Sequence, residues 1–144
     1  MSVSEPLRAC VASRANERCE YCQYPQEFTT FSLPVDHIVP QAADGPTEPD
    51  NLAFACSQCN RYKSSHQKGT DPVTGADVRL FNPRIDDWTV HFLLNWETGK
   101  IEGRTPIGRV TVDTLRMNDA RPIRARQNLI KIGAYEDFKN TVDS

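Results

Sequence analysis

A chain of 144 residues with 38% hydrophobic and 25% charged positions is sized and composed like one ordinary globular domain, which excludes a disordered or fibrous protein. The formal net charge of −2 excludes a uniformly cationic surface. The charges are nevertheless segregated: residues 1–60 carry three basic side chains (Arg8, Arg14, Arg18) against eight acidic ones, and residues 100–133 carry eight basic against three acidic.

In chain order, Ser4 is placed to cap a helix with Pro6 in its first turn, and Leu7, Cys10, Val11 and Ala15 fall at helical spacing, predicting a helix over residues 5–17 with Cys10 on its packed side. Residues 19–22, Cys-Glu-Tyr-Cys, form a knuckle. Phe28, Phe31, Leu33 and Val35 then predict an extended stretch ending at Asp36-His37-Ile38-Val39-Pro40, where the proline stops it. Residues 41–50 are loop by composition. Leu52-Ala53-Phe54-Ala55 leads into Cys56-Ser-Gln-Cys59, after which a helix is expected over residues 57–66. Asp71 to Gly75 is a turn, Thr89–Trp96 and Lys100–Glu102 read as a hairpin around Thr98-Gly99, and Asp119 caps a last helix. That helix carries Ile123, Leu129, Ile130 and Ile132 on its packed side and stops at Gly133. No repeat, low-complexity tract or linker divides the chain, so one domain over 1–144 is expected.

No apolar run approaches the roughly 18 residues that a membrane span requires. Residues 1–5 lack the basic and apolar regions of a signal peptide. The expected location is the cytoplasm, with no membrane partner. In that reducing compartment, two C-x-x-C pairs point to a metal rather than to disulfides. Zinc takes four soft ligands at the corners of a tetrahedron, and each C-x-x-C turn presents two thiolates without backbone strain. Cys19, Cys22, Cys56 and Cys59 are therefore the expected ligands of a structural Zn²⁺. The 33 residues between Cys22 and Cys56 must be a folded excursion between the knuckles.

Within that excursion stand Asp36-His37 at a strand end and Asn51 before the second apolar run, with Asn60 directly after Cys59. Together, Cys19-Glu-Tyr-Cys22, Val35-Asp-His-Ile-Val-Pro40, Asp50-Asn-Leu-Ala53 and Cys56-Ser-Gln-Cys-Asn-Arg-Tyr-Lys63 resemble the HNH endonuclease family, the ββα-metal fold, over about residues 18–64. The resemblance implies an α+β fold: an HNH core over about residues 18–66, its two knuckles joined by the zinc, plus an N-terminal helix and a hairpin and helix extension over about 70–144. It implies hydrolysis of DNA phosphodiester bonds to 5′-phosphate and 3′-hydroxyl ends. His37 would be the general base. Asp36 and Asn60 would hold one divalent cation, and Asn51 would pin the loop and orient the base. Arg61 and Lys63 are the candidate phosphate contacts.

Asn60 stands where the commonest pattern has histidine, and an amide oxygen favours Mg²⁺ or Mn²⁺ over softer ions. The alternative reading is a zinc-stabilised nucleic-acid-binding module without catalysis, which leaves Asp36, His37 and Asn60 no reason to coincide. The sequence leaves monomer and homodimer equally open.

Overall fold

The computed structural model describes residues 3–136; the last eight residues of the expected extension, and Met1 and Ser2 of the segment read for a leader, lie outside the described residues. The architecture is α+β, built from short helices and three two-stranded antiparallel sheets. Helix α1 (Glu5–Arg14) begins where the Ser4 hydroxyl accepts from the Leu7 amide, leaving one orphan donor fewer at its N-terminus. It turns Val11 into the core at 1% exposure. Cys10, about 100° around the helix from Val11, is exposed, which corrects its expected packing role.

The extended stretch expected from Phe28 is shorter than its composition implies. Phe28 ends a 3₁₀ turn and Phe31 is 80% exposed, so apolar spacing there does not report burial. Only β1 (Val35–His37) pairs, running antiparallel to β2 (Leu52–Phe54) with Asp36 opposite Ala53 and His37 opposite Leu52. Leu52, Ala53 and Phe54 are all buried, so β2 is covered on both faces. Each large apolar side chain enclosed in this way contributes on the order of 1.5–3 kcal/mol. The Arg14 guanidinium ties α1 to this hairpin by donating to the carbonyls of Leu52 at 2.8 Å and Pro49 at 3.0 Å.

Helix α2 (Ser57–Lys63) is three residues shorter than expected, because Ser64 turns out of the helix at φ 47°. Strands β3 (Lys68–Thr70) and β4 (Asp77–Arg79) close around the Asp71–Gly75 turn, which Asp71 organises by accepting from the Val73 amide and the Thr74 hydroxyl. The first part of the expected strand 89–96 is a single helical turn, α3 (Trp88–His91), capped by the Asp87 side chain. Strands β5 (Phe92–Leu94) and β6 (Ile101–Gly103) then form the hairpin.

Helix α4 (Pro106–Thr114), which periodicity alone did not single out, packs on β6, β3 and β4, and its start carries a Thr105 cap and Pro106 at the first position. Helix α5 (Ala120–Lys131) follows Asp119, whose side chain makes no capping bond, and Gly133 at φ 78° ends it. Leu129 is buried, but Ile132 is 66% exposed and lies off the packed face. Edge-on ring contacts join the two halves of the chain: Tyr21 meets Phe81 at 6.4 Å between centroids, and Phe81 meets Phe92 at 5.1 Å. Among the described residues no helix is long and apolar enough to cross a membrane.

Candidate active site and metal cluster

Two knuckles bring Cys19, Cys22, Cys56 and Cys59 together, their sulfur atoms all within 4.8 Å of one another. In each knuckle the first sulfur accepts from the amide three residues on, Cys22 to Cys19 and Cys59 to Cys56, both at 3.4 Å. Cys56 thereby also caps α2. Tetrahedral zinc with Zn–S bonds of about 2.3 Å requires sulfurs roughly 3.8 Å apart. The Cys22 and Cys56 sulfurs lie 3.6 Å apart, so the donor set fits a zinc ion. Hydrogen bonds from Cys19, Cys56 and Cys59 hold the Cys22 thiol well below its usual range, while the same network pushes Cys56 and Cys59 up.

Between the knuckles, β1 alternates. Asp36 points inward at 4% exposure, while its neighbours Val35 and His37 are half-buried. The Tyr21 hydroxyl donates to the Asp36 carboxylate at 2.8 Å, and the Lys63 ammonium lies 3.1 Å from the same oxygen. Burial pushes the Asp36 carboxyl up, with the Lys63 charge and the Tyr21 hydrogen bond pulling it back. Burial raises the Tyr21 hydroxyl far above its usual range, so it stays a donor.

Lys63 is 1% exposed, and its ammonium also donates to the carbonyls of His37 at 3.2 Å and Ile38 at 3.1 Å. This corrects its expected role as a phosphate contact: the helix face that carries it is turned into the protein, and its charge is held by oxygens of β1 and the residue after it. The Lys63 ammonium reaches the second Asp36 oxygen as well, at 3.3 Å, so both carboxylate oxygens are engaged within the protein. Asn60, three residues before Lys63 on α2, is half-buried. Arg61 is exposed.

His37 stands at the end of β1, where its Nε2 lies 2.9 Å from the Thr47 hydroxyl. Its Nδ1 has no hydrogen-bond partner among the described residues. Thr47 was not among the residues that the sequence singled out; it lies in a segment read only as loop, and nothing in its spacing ties it to His37. Asn51 fixes that loop. Its side-chain oxygen accepts from the Val39 amide at 2.8 Å, and its side-chain nitrogen donates to the carbonyls of Val39 at 3.0 Å and Pro46 at 2.9 Å. A Cβ at Gly45 would sit 1.7 Å from the Val39 carbonyl oxygen, so the loop closes this tightly only with glycine there. Asn51 and Gly45 therefore determine where Thr47 meets the imidazole.

The rest of the chain braces this site. The Trp88 indole donates to the Tyr21 carbonyl at 2.8 Å. Arg84 pairs with Glu20, whose other oxygen accepts from the Phe54 amide at 2.8 Å. Burial raises the Glu20 carboxyl, and the Phe54 amide and the Arg84 charge oppose that.

Comparison with known proteins agrees with the motif. Residues 19–66 match the HNH endonuclease family. Septu protein PtuB of Bacillus thuringiensis is 24% identical over 119 residues, covering 78% of this chain and 41% of that protein. The CRISPR-associated endonuclease Cas9 of Corynebacterium diphtheriae is 40% identical over 53 residues, covering 36% of this chain and 5% of that protein. The chain thus spans less than half the length of either relative.

Proposed function

We propose, from the premise that residues 19–66 are an HNH endonuclease domain, that the protein hydrolyses DNA phosphodiester bonds with His37 as general base. The observation that carries this reading is the imidazole at the end of β1, its Nε2 held at 2.9 Å by Thr47 and its Nδ1 left for water. In the tautomer that donates Nε2–H to the Thr47 hydroxyl, Nδ1 keeps its lone pair. A water then attacks phosphorus as its proton passes to Nδ1. The bond from phosphorus to the 3′-oxygen breaks, and that oxygen takes a proton from solvent, leaving 5′-phosphate and 3′-hydroxyl ends.

Asp36 and Asn60 would hold one hard divalent cation, Mg²⁺ or Mn²⁺, which neutralises charge at the phosphate and the leaving oxygen when bound. Asn51 positions the loop, the four cysteines hold a structural Zn²⁺, and Arg61 meets the phosphate backbone. Residues 1–144 act as one domain in this reading.

The test is conversion of supercoiled plasmid to nicked and linear forms by the protein and by His37→Ala, with Mg²⁺, Mn²⁺ or EDTA. Loss of the general base should slow cutting about 10²- to 10⁴-fold at unchanged melting temperature. Equal metal-dependent cutting by both proteins refutes His37 as the base. No cutting under any divalent ion refutes the nuclease and favours the binding module.

A further inference from the structure

We infer that Arg61, Tyr62 and Arg116 form a DNA-backbone clamp that the C-terminal extension completes, an inference that rests on DNA being the substrate. The Tyr62 ring holds two guanidiniums: Arg61 with its central carbon 5.3 Å from the ring centroid and Arg116 at 4.7 Å. Both arginines are exposed, and neither guanidinium has an ion-pair or hydrogen-bond partner among the described residues. Two like charges share one ring instead of each meeting a carboxylate, an arrangement that a polyanion would stabilise. Their distances from that ring limit the separation of the two charges to about 10 Å, and a DNA strand carries a phosphate about every 3.4 Å of helix axis.

Arg61 and Tyr62 follow Asn60 directly on α2, whereas Arg116 comes from beyond residue 66, after α4. At 100° per residue, Arg61 stands between Asn60 and Tyr62 around the helix. A strand lying on the guanidiniums would therefore run toward the helix face that carries Asn60.

The backbone of Arg116 is built for display. Leu115 and Met117 on either side are both fully buried, so the chain must turn outward between them, and Arg116 does so at φ 52°. Side chains rarely adopt that conformation and glycine does so freely. The Gln58 side chain donates to the Arg116 carbonyl at 3.2 Å, fixing the turn against α2. In the hollow beyond Arg116, Lys100 and Arg109 stand against Glu102, Asp113 and Asp119, so the basic charges there are offset by acidic ones.

The experiment is fluorescence anisotropy of a labelled DNA duplex with the full chain in EDTA, titrated with salt, for wild type, Arg116→Gly, Arg116→Ala, Tyr62→Leu and Tyr62→Phe. Removing Arg116 should weaken binding about tenfold at low salt and flatten the slope of log K against log salt by about 1. Arg116→Gly should melt above Arg116→Ala, because glycine suits the turn, yet bind DNA equally weakly. Tyr62→Phe should keep wild-type affinity, and Tyr62→Leu should lose it. Wild-type affinity and salt slope in Arg116→Gly and Tyr62→Leu overturn the clamp, as does arginine-dependent binding to phosphatidylserine vesicles without arginine-dependent binding to DNA. Because binding is read without cleavage, the two readings fail separately: an inactive protein that still shows the arginine dependence refutes the nuclease, and an active one without it refutes the clamp.

Discussion

Residues 19–66 and residues 67–136 hold together by different means. In the first region Asp36, Asn51, Lys63 and four cysteines are buried beside Tyr21, Leu33, Ile38, Leu52 and Phe54, among strands of three residues and a helix of seven. In the second, Phe81, Phe92, Leu94, Ile101, Val110, Leu115 and Met117 are all below 3% exposure, and the buried polar side chains are Asp71, Thr111 and Arg126. Arginines close its seams, Arg109 on Asp71 and Arg126 on the carbonyls of Gly99 and Met117. The first region thus rests on fewer large buried apolar side chains than the second. Its integrity passes to the cysteine cluster and to the neighbour that braces Tyr21 and Glu20.

The largest expected effect follows from the cysteine cluster. A structural zinc site contributes apparent free energies of about 10–16 kcal/mol in isolated zinc-finger peptides. Stripping the ion with a strong chelator, or Cys59→Ser, should therefore unfold the first region. Far-UV circular dichroism with zinc stoichiometry by atomic absorption reads this. A protein that keeps its melting temperature with no bound zinc would break the contrast, because the short strands would then be self-sufficient.

The next effect belongs to the second region. Arg126 is 1% exposed and donates to the Gly99 carbonyl at 2.6 Å, the Met117 carbonyl at 2.6 Å and the Asn118 side-chain oxygen at 3.1 Å. Arg126→Met keeps the bulk and takes the donor from the Gly99 and Met117 carbonyls, each loss costing about 1–3 kcal/mol, while the Asn118 oxygen still accepts from the Ile101 amide at 2.8 Å. Stability should fall by roughly 3 kcal/mol in urea unfolding, with zinc stoichiometry unchanged. Loss of zinc along with stability would mean that the two regions are not separately maintained.

The sequence was most informative where chemistry demands fixed spacing. The cysteine pairs are legible because a thiolate knuckle needs two intervening residues, and the Asp71–Gly75 turn because its side-chain bonds are local. It was least informative where a side chain's direction depends on distant packing. Cys10 and Val11 are equivalent to a helical pattern, and only the position of β2 decides which is covered. Lys63 reads as a surface cation until β1 is seen to turn its carbonyls toward it. Phe31 shows the reverse, an apolar residue in an apolar pattern that packs against little. Helix α4 carried its cap and proline in plain view, but its packed face on β3, β4 and β6 includes Gly108 and Thr111, which do not register as apolar.

Thr47 is the smallest effect and the most discriminating one. Its hydroxyl is the partner of His37 Nε2, and Thr47→Val keeps the shape while removing it. One hydrogen bond is worth about 1 kcal/mol net, so cutting should slow about five- to tenfold. Thr47→Ser, which restores the hydroxyl, should recover most of that loss. A threonine that only fills the loop would affect stability without altering the imidazole. The decisive readout is therefore the ¹⁵N chemical shifts of His37: wild type and Thr47→Ser should carry the proton on Nε2, and Thr47→Val should show a mixture of tautomers. Unchanged shifts and full activity in Thr47→Val would mean that the strand end alone orients the base. The polar interior of the first region would then be needed for Asp36 and Lys63 and not for the histidine beside them.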